Sequence, residues 1–264
     1  MGDGLMGIPT PFTALNQTGV GWLPGELIAL YARPSIGKSW VCVQAAVTAA
    51  AKGFRTLLIT SEMPTSQMSL RTDVVLGNAL GYEFSHLALR NGNPINEESY
   101  QEFLSGLDNV PLLICDHVEG ESSISLESIH NLIRKYEPEL VVIDGVYLIT
   151  NSGRSHSAMW EQTHMLFYGL KNICLSTNTP MFISTQATKD AADIYIPPKA
   201  DQVAYGDAML RAADMVMSMC MVEGEANRRY IYYQKYRDGI LPLRRSYLEW
   251  EVDRGCITEI DESY

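Results

Sequence analysis

The most informative segment for the fold is Ala32-Arg33-Pro34-Ser35-Ile36-Gly37-Lys38-Ser39. It stands between an apolar run at residues 27–31, which predicts a buried strand, and an alanine-rich run at residues 39–51, which predicts a helix. In a strand–loop–helix unit of this kind, the backbone N–H groups of the loop and the helix N-terminus surround phosphate oxygens. The lysine neutralises the β and γ phosphates, and the hydroxyl after it binds magnesium. The segment therefore predicts a P-loop.

The expected nucleotide contacts follow from this motif. The residues are Arg33, Pro34, Ser35, Ile36, Gly37, Lys38, Ser39 and Trp40. We assign Lys38 to the phosphates and Ser39 to Mg²⁺. The first glycine of the general pattern is replaced by Ala32, whereas the Gly-Lys-Ser core is intact. A chance Gly-Lys-Ser on a surface turn is the alternative, and the predicted strand and helix on either side argue against it.

Two acidic residues are candidates for the chemistry beside this loop. Asp144 ends the apolar run at residues 140–143, so it should lie at the carboxyl edge of a parallel sheet and hold Mg²⁺ through water. Gly145 follows it in place of a second acid, so the catalytic base must come from elsewhere. Glu62, just past a predicted strand at residues 56–61, is the candidate that orients and deprotonates water. Its alternative role is to cap the next helix.

Apolar runs alternate with amphipathic segments along the chain, which is typical of strands joined by crossover helices around a mainly parallel sheet. Further strands are predicted at residues 110–115, 140–143 and 181–185, and further helices at 66–80, 123–136 and up to residue 173. Strand-like segments at 215–222, 228–236 and 244–252, the last two joined by a turn near residues 238–239, predict an antiparallel extension. The prediction is an α/β fold with helices on both faces of the sheet.

The composition limits the classes of protein to consider. At 264 residues the chain is interpreted as one domain, residues 1–264, in which residues 1–9 are a linker remnant. A net charge of -11 argues against a surface devoted to nucleic acid, so any DNA contact is local. No run approaches the roughly 18 apolar residues of a membrane span, and we expect a soluble intracellular protein. The 5 cysteines form no C-x-x-C pair and are expected to be reduced core residues.

Several motifs together resemble the motor domain of DnaB-type replicative helicases. They are Gly7-Ile8-Pro9-Thr10, Leu23-Pro24-Gly25-Glu26-Leu27, Ala32-Arg33-Pro34-Ser35, Ser61-Glu62-Met63-Pro64 and Val142-Ile143-Asp144. Their order and spacing match too, and the resemblance covers nearly the whole chain. It implies a RecA-like P-loop ATPase core that uses ATP and Mg²⁺. It further implies a homo-hexameric ring that moves on single-stranded DNA in a bacterial or phage-infected cytoplasm, with a primase or a helicase loader as partner.

The resemblance also extends to residues in the second half of the chain. Gln186, after the predicted strand at 181–185, resembles the family's sensor, which couples the state of the γ-phosphate to the DNA-contacting loops. Lys235-Tyr236-Arg237 resembles the segment whose lysine and arginine reach the nucleotide of the neighbouring subunit. The alternatives are a polar strand end for Gln186 and an exposed basic pair on a hairpin for Lys235 and Arg237.

The chain also departs from the family pattern. Family members carry an N-terminal helical domain, and we expect none in this chain, which begins directly at the motor. Gly145-Val146-Tyr147 replaces the tyrosine that usually follows the aspartate. Residues 204–211, aligned with the family's DNA-binding loop, lack the usual arginine at the start. The candidate DNA contacts are Arg154, Lys189, Tyr205, Gly206 and Asp207, and solvated surface charge is the alternative for the charged ones.

Three functions are compatible with these observations. The leading hypothesis is a ring-shaped helicase motor that hydrolyses ATP at each interface and unwinds duplex DNA. The second is a RecA-like recombinase or mediator that uses the same core. The third is a non-translocating ATP-binding regulatory assembly protein, which the acidic balance and the weakly basic loops keep open. DNA-stimulated ATP hydrolysis separates the third from the first two.

Overall fold

The apolar runs of the sequence form strands of a single sheet. The strands are β1 (Leu27–Ala32), β2 (Thr56–Thr60), β3 (Leu112–Cys115), β4 (Leu140–Asp144), β5 (Met181–Gln186), β6 (Met215–Val222), β7 (Glu225–Tyr236), β8 (Arg245–Glu251) and β9 (Cys256–Ile260). The computed structural model describes residues 4–119, 121–150, 159–188, 190–203, 206–237 and 245–260. Within these residues the strand order is β3-β2-β4-β5-β1-β6-β7-β8-β9.

The direction of the strands changes once across this sheet. Every pairing from β3 through β2, β4, β5 and β1 to β6 is parallel. The pairings of β6 with β7, β7 with β8 and β8 with β9 are antiparallel. The prediction of a mainly parallel sheet with an antiparallel C-terminal extension is confirmed.

Helices cover both faces of the sheet. They are α1 (Thr13–Asn16), α2 (Lys38–Ala50), α3 (Thr65–Leu80), α4 (His86–Arg90), α5 (Glu97–Gly106), α6 (Leu126–Tyr136), α7 (Met159–Thr177) and α8 (Gly206–Ala212). Successive residues of a strand point to opposite faces, and every residue of β1 is buried. Ile28 and Leu30 belong to the apolar cluster that contains α2 and α3, whereas Leu27 and Ala29 belong to the cluster that contains α6, α7 and α8. The predicted two-faced core is confirmed.

Some elements differ from the sequence prediction. Helix α6 begins later than residue 123 because the Ser125 side chain accepts a hydrogen bond from the backbone N–H of Ser128 and caps the helix there. Helices α4 and α5 were not predicted, since each buries a single side chain, Leu89 and Phe103, and so has no apolar periodicity to detect. Strand β9 was missed for the same reason, because Ile257 is its one buried residue. The predicted turn at 238–239 lies outside the described residues.

The N-terminal segment pairs with residues 19–22 through Met6 and Ile8. Ile8 is buried and exchanges two backbone hydrogen bonds with Trp22, at 2.9 and 2.8 Å. The interpretation of residues 1–9 as a linker remnant stays a prediction, but Ile8 itself belongs to the core.

All five cysteines are free, and three of them, Cys42, Cys174 and Cys220, are buried. None of the helices in the described ranges is long and apolar enough to cross a membrane.

Candidate nucleotide site

The loop between β1 and α2 has an unusual backbone. Ser35 and Gly37 both have positive φ, at 64° and 117°. A Cβ atom on Gly37 would collide with the ring of Trp250, so this position requires glycine. Arg229 fixes the loop from β7, because its Nε donates to the Ile36 carbonyl at 3.0 Å and its guanidinium lies 5.0 Å from the Trp250 ring centre. The antiparallel extension therefore supports the P-loop.

Lys38 is the first residue of α2, and its side chain reaches back into this loop. It is buried, and its Nζ donates to the carbonyl oxygens of Ala32 and Arg33, both at 3.2 Å. Burial lowers the pKa of Lys38, while the nearby Glu62 and Asp144 carboxylates act in the opposite direction. The ammonium group is thus held inside the loop, where a P-loop binds phosphate oxygens.

Asp144 is the last residue of β4 and is fully buried. Its Oδ1 accepts hydrogen bonds from Ser184 Oγ at 2.7 Å and from Cys42 Sγ at 3.6 Å. Its Oδ2 has no hydrogen-bond partner among the described residues. A buried carboxylate oxygen without a partner is costly, and Mg²⁺ prefers oxygen ligands and keeps several waters. The free Oδ2 and the Ser39 hydroxyl therefore fit a hydrated magnesium ion.

Glu62 lies beside Asp144, although the two are far apart in sequence. Gly145 follows Asp144 with φ 86°, and a Cβ atom on it would lie 3.3 Å from the Glu62 Cβ, so the glycine makes room for this side chain. The alternative role of Glu62 as a helix cap is wrong. Helix α3 begins after Pro64, and the carboxylate at its start is that of Asp116, which accepts from the Thr65 N–H at 2.6 Å. This hydrogen bond lowers the pKa of Asp116 to about 2.

Tyr147 joins two of the predicted site residues. Its hydroxyl accepts a hydrogen bond from Gln186 Nε2 and lies near the Glu62 carboxylate, which interacts with it electrostatically. Burial, followed by the contact with Glu62, raises the pKa of Tyr147, so the phenol stays protonated at neutral pH. The candidate base and the candidate sensor are therefore linked through one hydroxyl.

Several of the residues described above line one pocket of about 310 Å³. Its lining consists of Pro34, Ser35, Gly37, Lys38, Ser39, Trp40, Glu62, Met63, Arg71 and Gln186. Two predicted contacts are absent from this lining, because the Arg33 guanidinium donates to the Thr188 carbonyl and the Ile36 side chain is buried. A larger pocket of about 920 Å³ lies at the opposite edge of the sheet, near His130 and Pro180, and the P-loop does not line it.

Sequence reasoning missed three residues at this site. Ser184 holds Asp144, and its only signal is a polar residue within an apolar strand. Tyr147 stands out in the sequence as a departure from the family pattern, which by itself predicts no role. Arg71 of α3 lies 5.1 Å from the centre of the Trp40 ring. Burial lowers the pKa of Arg71, whereas the Asp144 and Glu62 carboxylates act to raise it. No sequence pattern marks this residue.

Lys235 and Arg237 both bind the carboxyl-terminal end of α8. The Lys235 Nζ donates to the Leu210 and Ala213 carbonyl oxygens at 2.5 and 2.6 Å. Arg237 forms an ion pair with Asp214, with 2.9 Å between Nη1 and Oδ1. The alternative of an exposed basic pair is therefore wrong for Lys235, which is partly buried, whereas Arg237 is ion-paired with its side chain still 44% exposed.

These two cations lie at the edge of the sheet opposite to the P-loop. The Arg237 N–H donates to the Asp214 carbonyl, directly before β6, and the start of β6 pairs with the start of β1. The P-loop follows the end of β1. At about 3.3 Å per residue, the length of β1 separates the two places by roughly 17 Å. The structure therefore does not bring Lys235 and Arg237 to the P-loop of their own chain.

The candidate DNA contacts are only partly described. Gly206 and Asp207 begin α8, and Asp207 is exposed and pairs with Arg211 at 2.9 Å. Gly206 is buried, and a Cβ atom on it would collide with the Ala200 carbonyl. Arg154, Lys189 and Tyr205 lie outside the described residues. The assignments of individual site residues stay predictions.

Comparisons with solved structures identify the fold. One solved ATPase domain superposes with a TM-score of 0.85 at 17% identity, over 98% of this chain and 93% of that one. A DnaB-like replicative helicase superposes with a TM-score of 0.84 at 16% identity, over 99% of this chain and 65% of that one. At such identities the likeness shows the fold alone, and it confirms the predicted RecA-like core.

Comparisons with sequences identify the family. The replicative DNA helicase DnaC of Bacillus subtilis is 28% identical over 193 residues, which cover 70% of this chain and 40% of the relative. The DNA repair protein RadA of Aquifex aeolicus is 26% identical over 185 residues, or 69% of this chain and 33% of the relative. The chain thus spans less than half the length of these relatives. The model of the DnaB-like helicase C terminal domain matches residues 7–241, and the chain belongs to that family.

Proposed function

We propose that the chain is the ATP-hydrolysing motor of a ring-shaped replicative helicase that moves on single-stranded DNA and unwinds duplex DNA. The observation that carries this proposal is the convergence of Lys38, Glu62 and Gln186 on one pocket, with the buried Asp144 beside it. Membership of the DnaB-like helicase family supports it. A recombinase and a non-translocating regulator are the alternatives, and they differ from the helicase in their response to DNA.

The first step is nucleotide binding. The backbone N–H groups of the P-loop and the Lys38 ammonium bind the phosphates of ATP. The Ser39 hydroxyl and the free Oδ2 of Asp144 are the groups that would hold a hydrated Mg²⁺ ion. Bound there, the ion would supply positive charge that stabilises the transferred phosphoryl group. The Ser184 and Cys42 donors on Oδ1 orient Asp144 for this contact.

The second step is hydrolysis. Glu62 is exposed at the mouth of the pocket, where a water molecule can reach it. It accepts a proton from this water while the water oxygen bonds to the γ-phosphorus and the bond to the leaving oxygen of ADP breaks. Gln186 lines the same pocket, so its amide can contact the γ-phosphate and report its presence to the DNA-contacting loops.

Hydrolysis also involves residues of a neighbouring subunit. Lys235 and Arg237 lie roughly 17 Å of strand away from their own P-loop, so we assign them to the nucleotide of an adjacent subunit. A closed ring, most simply a homo-hexamer, provides that geometry at every interface. Single-stranded DNA would pass through its centre along Arg154, Lys189 and residues 205–207. The solved DnaB-like replicative helicase interacts with primase, and we propose a primase or a helicase loader as partner here as well.

The test is ATP hydrolysis by the purified chain with and without single-stranded DNA, followed by displacement of a strand from a forked duplex. We expect DNA to increase turnover, and we expect displacement to require ATP. Mass in solution with an ATP analogue and forked DNA should be six times the 29.4 kDa of the chain. Strand exchange without displacement would support a recombinase instead. ATP binding with no response to DNA would support the regulator.

A further inference from the structure

We propose that Tyr147 is a positioning residue that transmits the state of Gln186 to Glu62, and so couples phosphate sensing to the activation of water. This inference rests on the proposed function and adds a residue to its site. Three side chains lie together at the carboxyl end of the sheet. Gln186 donates to the Tyr147 hydroxyl, Glu62 lines the same pocket as Gln186, and the Glu62 side chain packs against Gly145, two residues before Tyr147.

The direction of the hydrogen bonds follows from the inventory of donors. Gln186 donates from Nε2 to the Tyr147 hydroxyl oxygen. A phenol carries one proton, and this proton is then free to point at the Glu62 carboxylate. An ionised carboxylate has no proton to donate, so it acts as the acceptor. The result is a chain of donors that runs from Gln186 through Tyr147 to Glu62. Such chains polarise their members in one direction.

The fold fixes Tyr147 between the two strand ends. Gly145, with φ 86°, turns the chain out of β4 into a short helical turn at residues 146–148. The Gly145 N–H donates to Ser184 Oγ at 3.0 Å and so ties the start of this turn to β5, while the Leu148 N–H closes the turn on the Gly145 carbonyl at 3.0 Å. The turn therefore moves with β4 and β5, which carry Asp144 and Gln186.

The contact gives Tyr147 a specific task at Glu62. Glu62 lies in the loop after β2, where a carboxylate samples several rotamers unless a neighbour holds it. The Tyr147 hydroxyl holds the carboxylate and leaves lone pairs on it for the attacking water. When Gln186 turns to a γ-phosphate oxygen or follows the DNA-contacting loops, the Tyr147 hydroxyl and the Glu62 carboxylate respond. Nucleotide binding itself does not use this hydroxyl.

Tyr147→Phe tests the inference by removing only the hydroxyl. We expect kcat in the presence of DNA to fall about 10-fold, the order of one hydrogen bond to a charged group. The affinity for a non-hydrolysable ATP analogue should stay within about two-fold, and the stimulation by DNA should largely disappear. In the Glu62→Gln background, Tyr147→Phe should cause no further loss, because both changes act on the same step.

Tyr100→Phe is the matched control. Its hydroxyl donates to the Asp73 carboxylate at 2.7 Å, and neither residue lines the pocket, so its loss should leave kcat and DNA stimulation unchanged. Normal turnover and DNA stimulation in Tyr147→Phe would overturn the inference, as would a further loss in the Glu62→Gln background. Equal losses of ATP-analogue affinity and kcat would show a general structural role and overturn it as well. An inactive wild-type chain would instead reject the proposed function, and this inference with it.

Discussion

The two edges of the parallel sheet are built in opposite ways. At the carboxyl edge, the groups around the P-loop converge and leave buried oxygens, Oδ2 of Asp144 among them, without a protein partner among the described residues. At the amino edge, the Lys235 ammonium and the Arg237 guanidinium are bound to their own chain. The first edge is prepared for a ligand that binds within one subunit. The second carries cations that a nucleotide in the P-loop of the same chain does not reach.

The amino edge is nevertheless organised around a single acid. Asp214 is buried and accepts from Lys171 at 2.6 Å and from the Leu27 N–H at 2.8 Å, in addition to its ion pair with Arg237. The Arg237 guanidinium is anchored at two oxygens, through Nη1 to Asp214 Oδ1 and through Nη2 to the Arg211 carbonyl, and its side chain is still 44% exposed. A guanidinium carries five N–H donors, so a phosphate from a neighbouring subunit could share it with these two acceptors. The fold alone therefore assembles the first site, whereas the role proposed for Lys235 and Arg237 requires a partner subunit.

The largest effect is expected at the carboxyl edge from Lys38→Ala. The change removes the ammonium that neutralises the transferred phosphate, so hydrolysis should fall to background and nucleotide binding should weaken strongly. Steady-state ATP hydrolysis and binding of a fluorescent ATP analogue measure both effects, and circular dichroism checks that the fold is kept. Lys52→Ala, at an exposed position after the other end of α2, is the control and should behave as wild type. Activity retained in Lys38→Ala would refute the P-loop assignment.

A smaller effect at the same edge separates binding from chemistry. Glu62→Gln keeps the shape of the side chain but removes the base, so turnover should fall by about 10²-fold or more while ATP stays bound. Single-turnover hydrolysis and filter binding of labelled ATP distinguish the two steps. Glu83→Gln, which changes an exposed acid elsewhere on the surface, is the control. Wild-type turnover in Glu62→Gln would remove Glu62 from the mechanism.

Sequence patterns predict a site residue when the neighbouring strand or helix fixes its position in the fold. The P-loop was predicted because a strand, a loop and a helix follow one another, and Asp144, Glu62 and Gln186 because each stands at or just after the end of a predicted strand. Ser184, Tyr147 and Arg71 were missed because their contacts join distant parts of the chain. For the same reason the sequence could not show that Arg229 and Trp250, from the C-terminal strands, support the P-loop.

The separation of the two edges is tested most directly by mixing two inactive variants. Lys38→Ala lacks the phosphate-binding lysine, and Arg237→Ala lacks the guanidinium, so each should be inactive alone. In a mixed ring, some interfaces pair an intact P-loop with an intact Arg237, about one in four for random equal mixing around a closed ring. Arg55→Ala, which breaks an exposed arginine–glutamate pair at 3.6 Å, should be active and serves as the control. Hydrolysis near that fraction of wild type is the predicted result, and no recovery in rings shown to be mixed would contradict the account.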